Sequence, residues 1–353
     1  MAEQTKVLVT GGGSVGTIAA LNLQSGDLAE VTLVMRSNYQ VVKDNGFSID
    51  SCDHGKLVRW RPSNSEPNVL ISVIIIISLT KEYTVLNAIP TIHSNEEGYD
   101  YVVITTKNVP TENGHQVSQI APSITPGRTI IVLIQNGLNI ERPYLERFPD
   151  NIVLSGVSMI GSEEIEPGVI KHSFTDQLTV GPFHNPNLNR QEEITAAKHL
   201  VKMYSAAGKA GKASCLYDEA VGWNRWKKLV YNASMNPICA LTGLDAGQVR
   251  FAGDAVSKLV RDTMTEIDAA AKASGYKLPA DIVEFMATVD RVEDHFVPSM
   301  LQDVRKGNKT EFEYLLGEPL REGQRLGVPM PVLSTLYALC QAMQWRIGNE
   351  QTN

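Results

Sequence analysis

The chain has 353 residues, 43% hydrophobic and 20% charged, with a formal net charge of -7. This length supports one large or two ordinary domains with real cores, and the composition is that of a soluble globular protein. A negative balance gives no general attraction to nucleic acid or anionic membrane, so neither is expected as a partner. The four cysteines, Cys52, Cys215, Cys239 and Cys340, are widely scattered. They form neither a disulfide-dense pattern nor a close-spaced metal set, so no metal is expected and a reducing, cytoplasmic setting is. Met1 to Lys6 is too short for a secretory or transit segment.

The first element is an apolar run, Val7-Leu8-Val9-Thr10, which enters Gly11-Gly12-Gly13-Ser14-Val15-Gly16 directly. Strand, tight glycine turn and helix start are what a dinucleotide pyrophosphate needs. Gly11 allows the turn, Gly13 lets phosphates approach backbone N–H groups, and Gly16 lets the helix pack close to the strand. Glycines in an unrelated turn are the plainer alternative. Placement straight after a first strand, opening a βα unit, favours the dinucleotide. Ile18, Ala19, Ala20, Leu21 and Leu23 then predict a buried helix over 14–24. A second strand over 30–35 ends at Arg36-Ser37-Asn38, with no acid at the corner where an NAD-preferring site holds the ribose hydroxyls. Arg36 there suits a 2′-phosphate, which points to NADPH; a solvated loop arginine is the alternative.

Residues 69–79 are apolar apart from two serines, yet too few to span a membrane. Their β-branched content suggests a buried strand, and an excess inserted segment over 65–86 is the rival. Continuous apolar strands of the parallel-sheet type follow over 101–106 and 129–134. Lys107 follows the first and Gln135-Asn136-Gly137 the second, where a parallel sheet presents residues to a ligand; an ordinary Asn-Gly turn also fits the latter. A short strand is expected over 151–157, and two more, 169–172 and 177–180, at the sheet's margin. Beyond Tyr217 helices are predicted over 219–236, 255–274, 281–292, 300–304, 312–323 and 331–345. The expected architecture is an α/β Rossmann-type N-terminal domain over 1–216 with an all-helical C-terminal domain over 217–353. A substrate would lie in the cleft between them.

Within 219–236, Lys228, Asn232 and Asn236 recur at steps of four, which places them on one face of a continuous helix. A lysine and two amides suit a carboxylate or carbonyl ligand: the lysine gives charge and a proton, the amides orient oxygens. A lone surface lysine is the bland reading of Lys228. Pro237 marks a kink or helix end. Further on, Ser299-Met300-Leu301-Gln302-Asp303 and Thr310-Glu311 read locally as a helix N-cap at Ser299 and a charged turn.

Together, Gly11 to Gly16, Gln135-Asn136-Gly137, Lys228 through Pro237, and Ser299 to Asp303 with Thr310-Glu311 carry a resemblance to the ketopantoate reductase family, spanning residue 5 to about 345. The resemblance implies NADPH-dependent reduction of 2-dehydropantoate to pantoate, with a small 2-oxo acid as partner and NADP+ as the oxidised cofactor. It implies that Lys228 donates the proton to the 2-oxo oxygen, that Asn232 and Asn236 bind substrate, and that Ser299 holds its carboxylate. Glu311 resembles the acid that bonds the nicotinamide-side ribose, and Asn136 the asparagine between nicotinamide and substrate. Arg36 and Lys107 resemble cofactor-side cations. One position that some members fill with asparagine is Ala246 here, which leaves another branched 2-oxo acid or ketone as a rival substrate. A non-catalytic dinucleotide-binding protein is the other rival, and a homodimer is left open.

Overall fold

The computed structural model describes residues 4–62, 85–93, 97–109, 116–206 and 213–350 of the chain. They divide into two compact units, Met1–Thr106 with Gln116–Gln135 and Pro143–Glu219, and Lys107–His115 with Asn136–Arg142 and Ala220–Asn353.

The first unit is a mixed sheet flanked by helices, Rossmann-like in plan. In chain order it holds β1 (Thr5–Thr10), α1 (Ser14–Ser25), β2 (Ala29–Val34), α2 (Tyr39–Asn45), β3 (Phe47–Ser51), β4 (Gly55–Trp60) and β5 (Val85–Leu86). Then come β6 (Tyr101–Ile104), α3 (Gln116–Ile120), β7 (Ile130–Leu133), α4 (Arg142–Arg147), β8 (Val153–Glu166), β9 (Val169–Pro182), α5 (Arg190–Ser205) and β10 (Ser214–Tyr217). The strand order is β4-β3-β9-β8-β7-β6-β1-β2-β5, with β10 also paired to β9. Strands β8, β7, β6, β1, β2 and β5 run parallel. Val7 to Val9, Val102 to Ile104 and Ile131 to Leu133 are wholly buried. A strand covered on both faces needs an apolar side chain at every position, hence continuous runs in place of alternation.

Two expectations are corrected in this unit. Residues 169–172 and 177–180 are not separate marginal strands but the two ends of β9, which lies inside the sheet between β3 and β8. The apolar signal lapses between them because Ser173, Thr175 and Asp176 are polar. Asp176 is nonetheless buried, accepting from the Asn22 amide at 2.9 Å and the Tyr204 hydroxyl at 2.5 Å. The strand expected over 151–157 continues to Glu166 because β8 and β9 form one long antiparallel hairpin. Gly168, at φ 76°, supplies the left-handed turn between them. The apolar run 69–79 lies outside the described residues. Of the wider segment 65–86 only the last two residues are described: they form β5 at the sheet's edge, Val85 and Leu86 pairing with Leu33 and Val34.

The second unit is helical: α6 (Val221–Asn232), α7 (Met235–Thr242), α8 (Ala246–Phe251), α9 (Asp254–Ala273), α10 (Ile282–Thr288), α11 (Ser299–Arg305), α12 (Glu318–Arg325) and α13 (Pro331–Glu350). Its core joins Trp226, Leu229 and Val230 of α6 to Met264 and Ile267 of α9, with Leu316, Leu333 and Cys340. The helix expected over 219–236 is broken. It ends at Asn232 and restarts at Met235, so Pro237 falls in the first turn of α7, where a missing N–H breaks no helical hydrogen bond. Likewise, the helix expected over 312–323 is a π-turn at Glu313–Gly317 followed by α12, with Pro319 in the first turn of α12. No helix among the described residues is long and apolar enough to cross a membrane.

Candidate functional site

In the first unit, β1 delivers the chain into the glycine turn. Gly11 has φ 107°, and a Cβ there would press on the Thr106 backbone nitrogen at 2.8 Å. A Cβ on Gly16 would collide with the Gly11 carbonyl oxygen, so α1 approaches the strand only with glycine at this place. Gly13 differs, because its missing Cβ would enter open space. It is the N-cap of α1, without a side-chain cap and with no acid in the first turn. The first N–H groups of a helix have no intrahelical acceptor and sit at the positive end of its dipole. An uncovered helix start behind glycine is the cradle a pyrophosphate requires, so these residues fit a dinucleotide.

Two side chains from elsewhere in the chain, and one of the turn's own, brace it. The Thr105 hydroxyl shares its proton between the carbonyls of Thr10 and Gly11, at 2.9 and 3.0 Å. Asn38 donates to the Gly12 carbonyl at 2.8 Å and to Glu164 at 2.7 Å. Ser14 donates its hydroxyl proton to the Ser162 carbonyl at 3.1 Å. That proton is committed within the fold, so Ser14, like Val15, offers a ligand its backbone N–H. Met35 packs where a Gly12 Cβ would be, and the next residue, Arg36, is exposed. The Arg36 guanidinium has no ion-pair partner among the described residues.

The second unit brings together four of the residues singled out in the sequence. Lys228 of α6 donates through Nζ to Asn136 Oδ1 at 2.8 Å, and Asn136 Nδ2 lies 3.5 Å from Glu311 Oε2. Glu311 is buried and accepts the Asn108 backbone N–H at 2.8 Å. Lys107 Nζ is 3.8 Å from Glu311 Oε2 and 2.7 Å from Asp303 Oδ2. Burial works against the Lys107 ammonium, but the carboxylates of Glu311 and Asp303 outweigh it and raise the Lys107 pKa. Burial pushes the Asp303 carboxyl up against the pull of Lys107.

Asn136 is held in place by the segment that follows it. The Leu138 N–H donates to the Tyr314 carbonyl at 2.9 Å, and the Gly137 carbonyl accepts from Arg225 at 2.8 Å. Arg225 is buried and pairs with buried Glu141 at 3.1 Å. Asn139 bonds Glu318 at 2.9 Å. Arg225 lies one turn before Lys228 on α6, so a single helix carries both the anchor of this segment and the lysine that meets it. Glu311 lies two residues before the π-turn, with the Thr310 N–H tied to Gln344 at 2.9 Å.

Asn232 ends α6, one turn beyond Lys228, whereas Asn236 belongs to α7. No single continuous helix therefore aligns all three, because the chain breaks after Asn232. Both asparagines are buried, yet their side-chain amides form no hydrogen bond among the described residues. Ser299 is the first residue of α11 and Pro298 its N-cap, so the capping reading of Ser299 is corrected. Helix α11 packs on α7. No hydrogen bond among the described residues joins Asn232, Asn236 or Ser299 to the Lys228 network. Ala246 is fully buried at the start of α8 and offers no polar group.

Sequence reasoning gave no role to Asp303, to the Asn108 backbone, or to the braces Thr105 and Asn38. Asp303 and Lys107 are 196 positions apart, and no local pattern pairs them.

Residues 7–185 match the family described as Ketopantoate reductase PanE/ApbA, and residues 220–344 match its C-terminal counterpart. An uncharacterised protein of Saccharomyces cerevisiae is 33% identical, covering 97% of this chain and 94% of its own. A 2-dehydropantoate 2-reductase of a Nostoc species is 25% identical, covering 95% and 94%. The crystal structure of 2-dehydropantoate 2-reductase from Methylococcus capsulatus superposes with a TM-score of 0.74 at 29% identity, covering 97% of each chain.

Proposed function

We propose, from the premise that this chain belongs to the ketopantoate reductase family and is a nicotinamide-dinucleotide-dependent oxidoreductase, that it reduces 2-dehydropantoate to (R)-pantoate with NADPH. The observation that carries the reading is the contact of Lys228 with Asn136, itself linked to buried Glu311. A lysine with no task beyond solubility has no need of a partner fixed by a buried Arg225–Glu141 pair.

The backbone of Gly11 to Gly16 would hold the pyrophosphate and Arg36 the 2′-phosphate, with Lys107 adding positive charge on the cofactor side. When bound, the dinucleotide supplies a hydride. The protein's part is to orient a 2-oxo acid and manage the charge that grows on its ketone oxygen. Lys228 Nζ neutralises that charge and donates the proton at the oxygen, and Asn136 fixes where Nζ points. Ser299 holds the substrate carboxylate, while Asn232 and Asn236, with amides unspent inside the protein, donate to its remaining oxygens. Glu311 accepts from the ribose and keeps Asn136 and the 107–108 segment in register.

A second reading is reduction of another branched 2-oxo acid or ketone, favoured by the apolar, buried Ala246. The Lys228 network weighs against a mere dinucleotide binder. This reading includes a small-molecule partner, a cytoplasmic setting, and a homodimer as the assembly to look for. Comparing kcat/KM for 2-dehydropantoate with a panel of branched 2-oxo acids tests it. A preference of tenfold or more for 2-dehydropantoate is expected, and an equal or larger value for another acid moves the assignment to that substrate.

A further inference from the structure

In the first unit a second set of chemistry-bearing side chains meets where β3 ends. Ser51 pairs with His172 of β9, and the Cys52 N–H donates to the His172 carbonyl at 2.9 Å. The Ser51 hydroxyl oxygen accepts the N–H groups of Asp53 and His54, at 3.1 and 3.0 Å, and so shapes the turn. Asp53 Oδ2 accepts the Asp176 N–H at 2.9 Å. Cys52 Sγ then lies 3.7 Å from Asp53 Oδ1, and His172 Nε2 lies 3.7 Å from Asp53 Oδ2. One ligand atom from each of the three residues falls within 4.8 Å of the others.

His172 supplies the independent observation. Its side chain is wholly buried, yet Nε2 has no hydrogen-bond partner and faces this cluster. A buried imidazole nitrogen left unbonded loses the solvation it had in water without replacement. Nδ1, by contrast, is fixed 2.9 Å from the Ser51 hydroxyl, which sets the ring plane.

We propose that Cys52, Asp53 and His172 bind one divalent ion of the zinc class, which fastens the β3–β4 turn to β9. Thiolate, imidazole and carboxylate together are the ligand set of a borderline-soft metal, not of calcium or magnesium. Zinc–ligand bonds of about 2.0–2.3 Å put tetrahedral ligand atoms roughly 3.3–3.8 Å apart; the three ligand atoms, one per residue, already lie within 4.8 Å of one another, so a small side-chain adjustment closes them on one ion. One thiolate and one carboxylate cancel the dication, so the buried side of the site carries no net charge. On binding, the Cys52 thiol proton leaves to solvent as the metal–sulfur bond forms, with no change of oxidation state. Ligation through Nε2 requires the ring proton on Nδ1, which faces the Ser51 hydroxyl at 2.9 Å, an outer contact of the kind that orients metal-ligating histidines. Cys52 is exposed and gives both an entry path and room for a water as fourth ligand. In the sequence His172 is too far from the adjacent Cys52-Asp53 pair to form a metal motif.

The test uses the full-length protein, treated with EDTA and reduced, then titrated with Co2+ and Zn2+. One equivalent of Co2+ should produce a thiolate-to-cobalt charge-transfer band that Zn2+ abolishes, and Zn2+ alone should raise Tm. Cys52→Ser should remove the band, and Ser51→Ala should weaken Co2+ about 10–100-fold. Cys52 is at the surface, so Cys52→Ser should keep the metal-free melting temperature and decide the matter even if a His172→Gln variant fails to fold. Absence of a band in the wild type, or an undiminished band in folded Cys52→Ser, overturns the proposal. Neither readout depends on reductase activity.

Discussion

Replacing Lys228 with alanine deletes the ammonium that contacts Asn136 Oδ1 at 2.8 Å. Two losses follow. The ketone oxygen gains negative charge with no proton donor at hand, and removing a general acid typically costs about 10²–10⁴-fold in rate, or about 2.7–5.4 kcal/mol of barrier. Asn136 also loses a charge-assisted hydrogen bond of about 1.5–3 kcal/mol, leaving only the long 3.5 Å contact to Glu311 to orient its amide. The second loss adds misalignment, so kcat should fall toward the lower-rate end of that range. NADPH affinity should barely change, because its pyrophosphate is assigned to the glycine turn. Single-turnover NADPH absorbance gives the chemical step, and titration of NADPH fluorescence gives binding. A Lys228→Ala protein with near-normal kcat on its best 2-oxo acid would refute the reasoning and shift the proton donor to Lys107. Loss of NADPH binding in step with kcat would instead make Lys228 a structural residue.

Arg36→Ala should raise KM for NADPH by a factor of about 10–100, the equivalent of one charge-assisted contact of about 1.5–3 kcal/mol, and leave KM for NADH alone. Equal damage to both cofactors would remove Arg36 from the 2′-phosphate. Glu141→Ala leaves Arg225 buried without its 3.1 Å partner. A urea melt should show about 3–5 kcal/mol lost, and an unchanged midpoint would contradict the anchoring role given to the 136–142 segment. Burial raises the Asp290 carboxyl above its ordinary range, even though the Tyr231 hydroxyl donates to it. The folded state therefore holds this proton more tightly than the unfolded chain. The resulting stability is fully present below the ordinary carboxylate pKa of about 3.9 and is lost as pH rises through the raised folded value. Denaturant melts across pH should show that slope in the wild type and not in Asp290→Asn.

The parallel core and the glycine turn were legible because each is written in consecutive residues. A strand buried on both faces shows as Val102-Val103-Ile104, and Gly11 to Gly16 follow β1 without interruption. Helix α5 was missed because its buried strip, Ala196, Ala197, Leu200, Met203 and Tyr204, is sparse among charged residues. Strand β9 was cut in two by Asp176, whose partners Asn22 and Tyr204 come from other elements. The spacing of Lys228, Asn232 and Asn236 suggested one helix face, but Pro237 has no N–H to give, and the chain satisfies it by restarting the helix. Lys228, Asn136 and Glu311 were found by motif, and Lys107 by its place directly after a strand. Their connection runs through contacts between residues 92 to 203 positions apart, which periodicity does not reach.

The central claim is that this chain transfers reducing equivalents from NADPH to the 2-oxo carbon of 2-dehydropantoate. Its most direct test incubates purified protein with both compounds, following NADPH loss by absorbance and pantoate by chiral chromatography. One (R)-pantoate per NADPH consumed, with no turnover when either compound is omitted, is the predicted result. NADPH binding without oxidation, or oxidation that yields no pantoate, would contradict it.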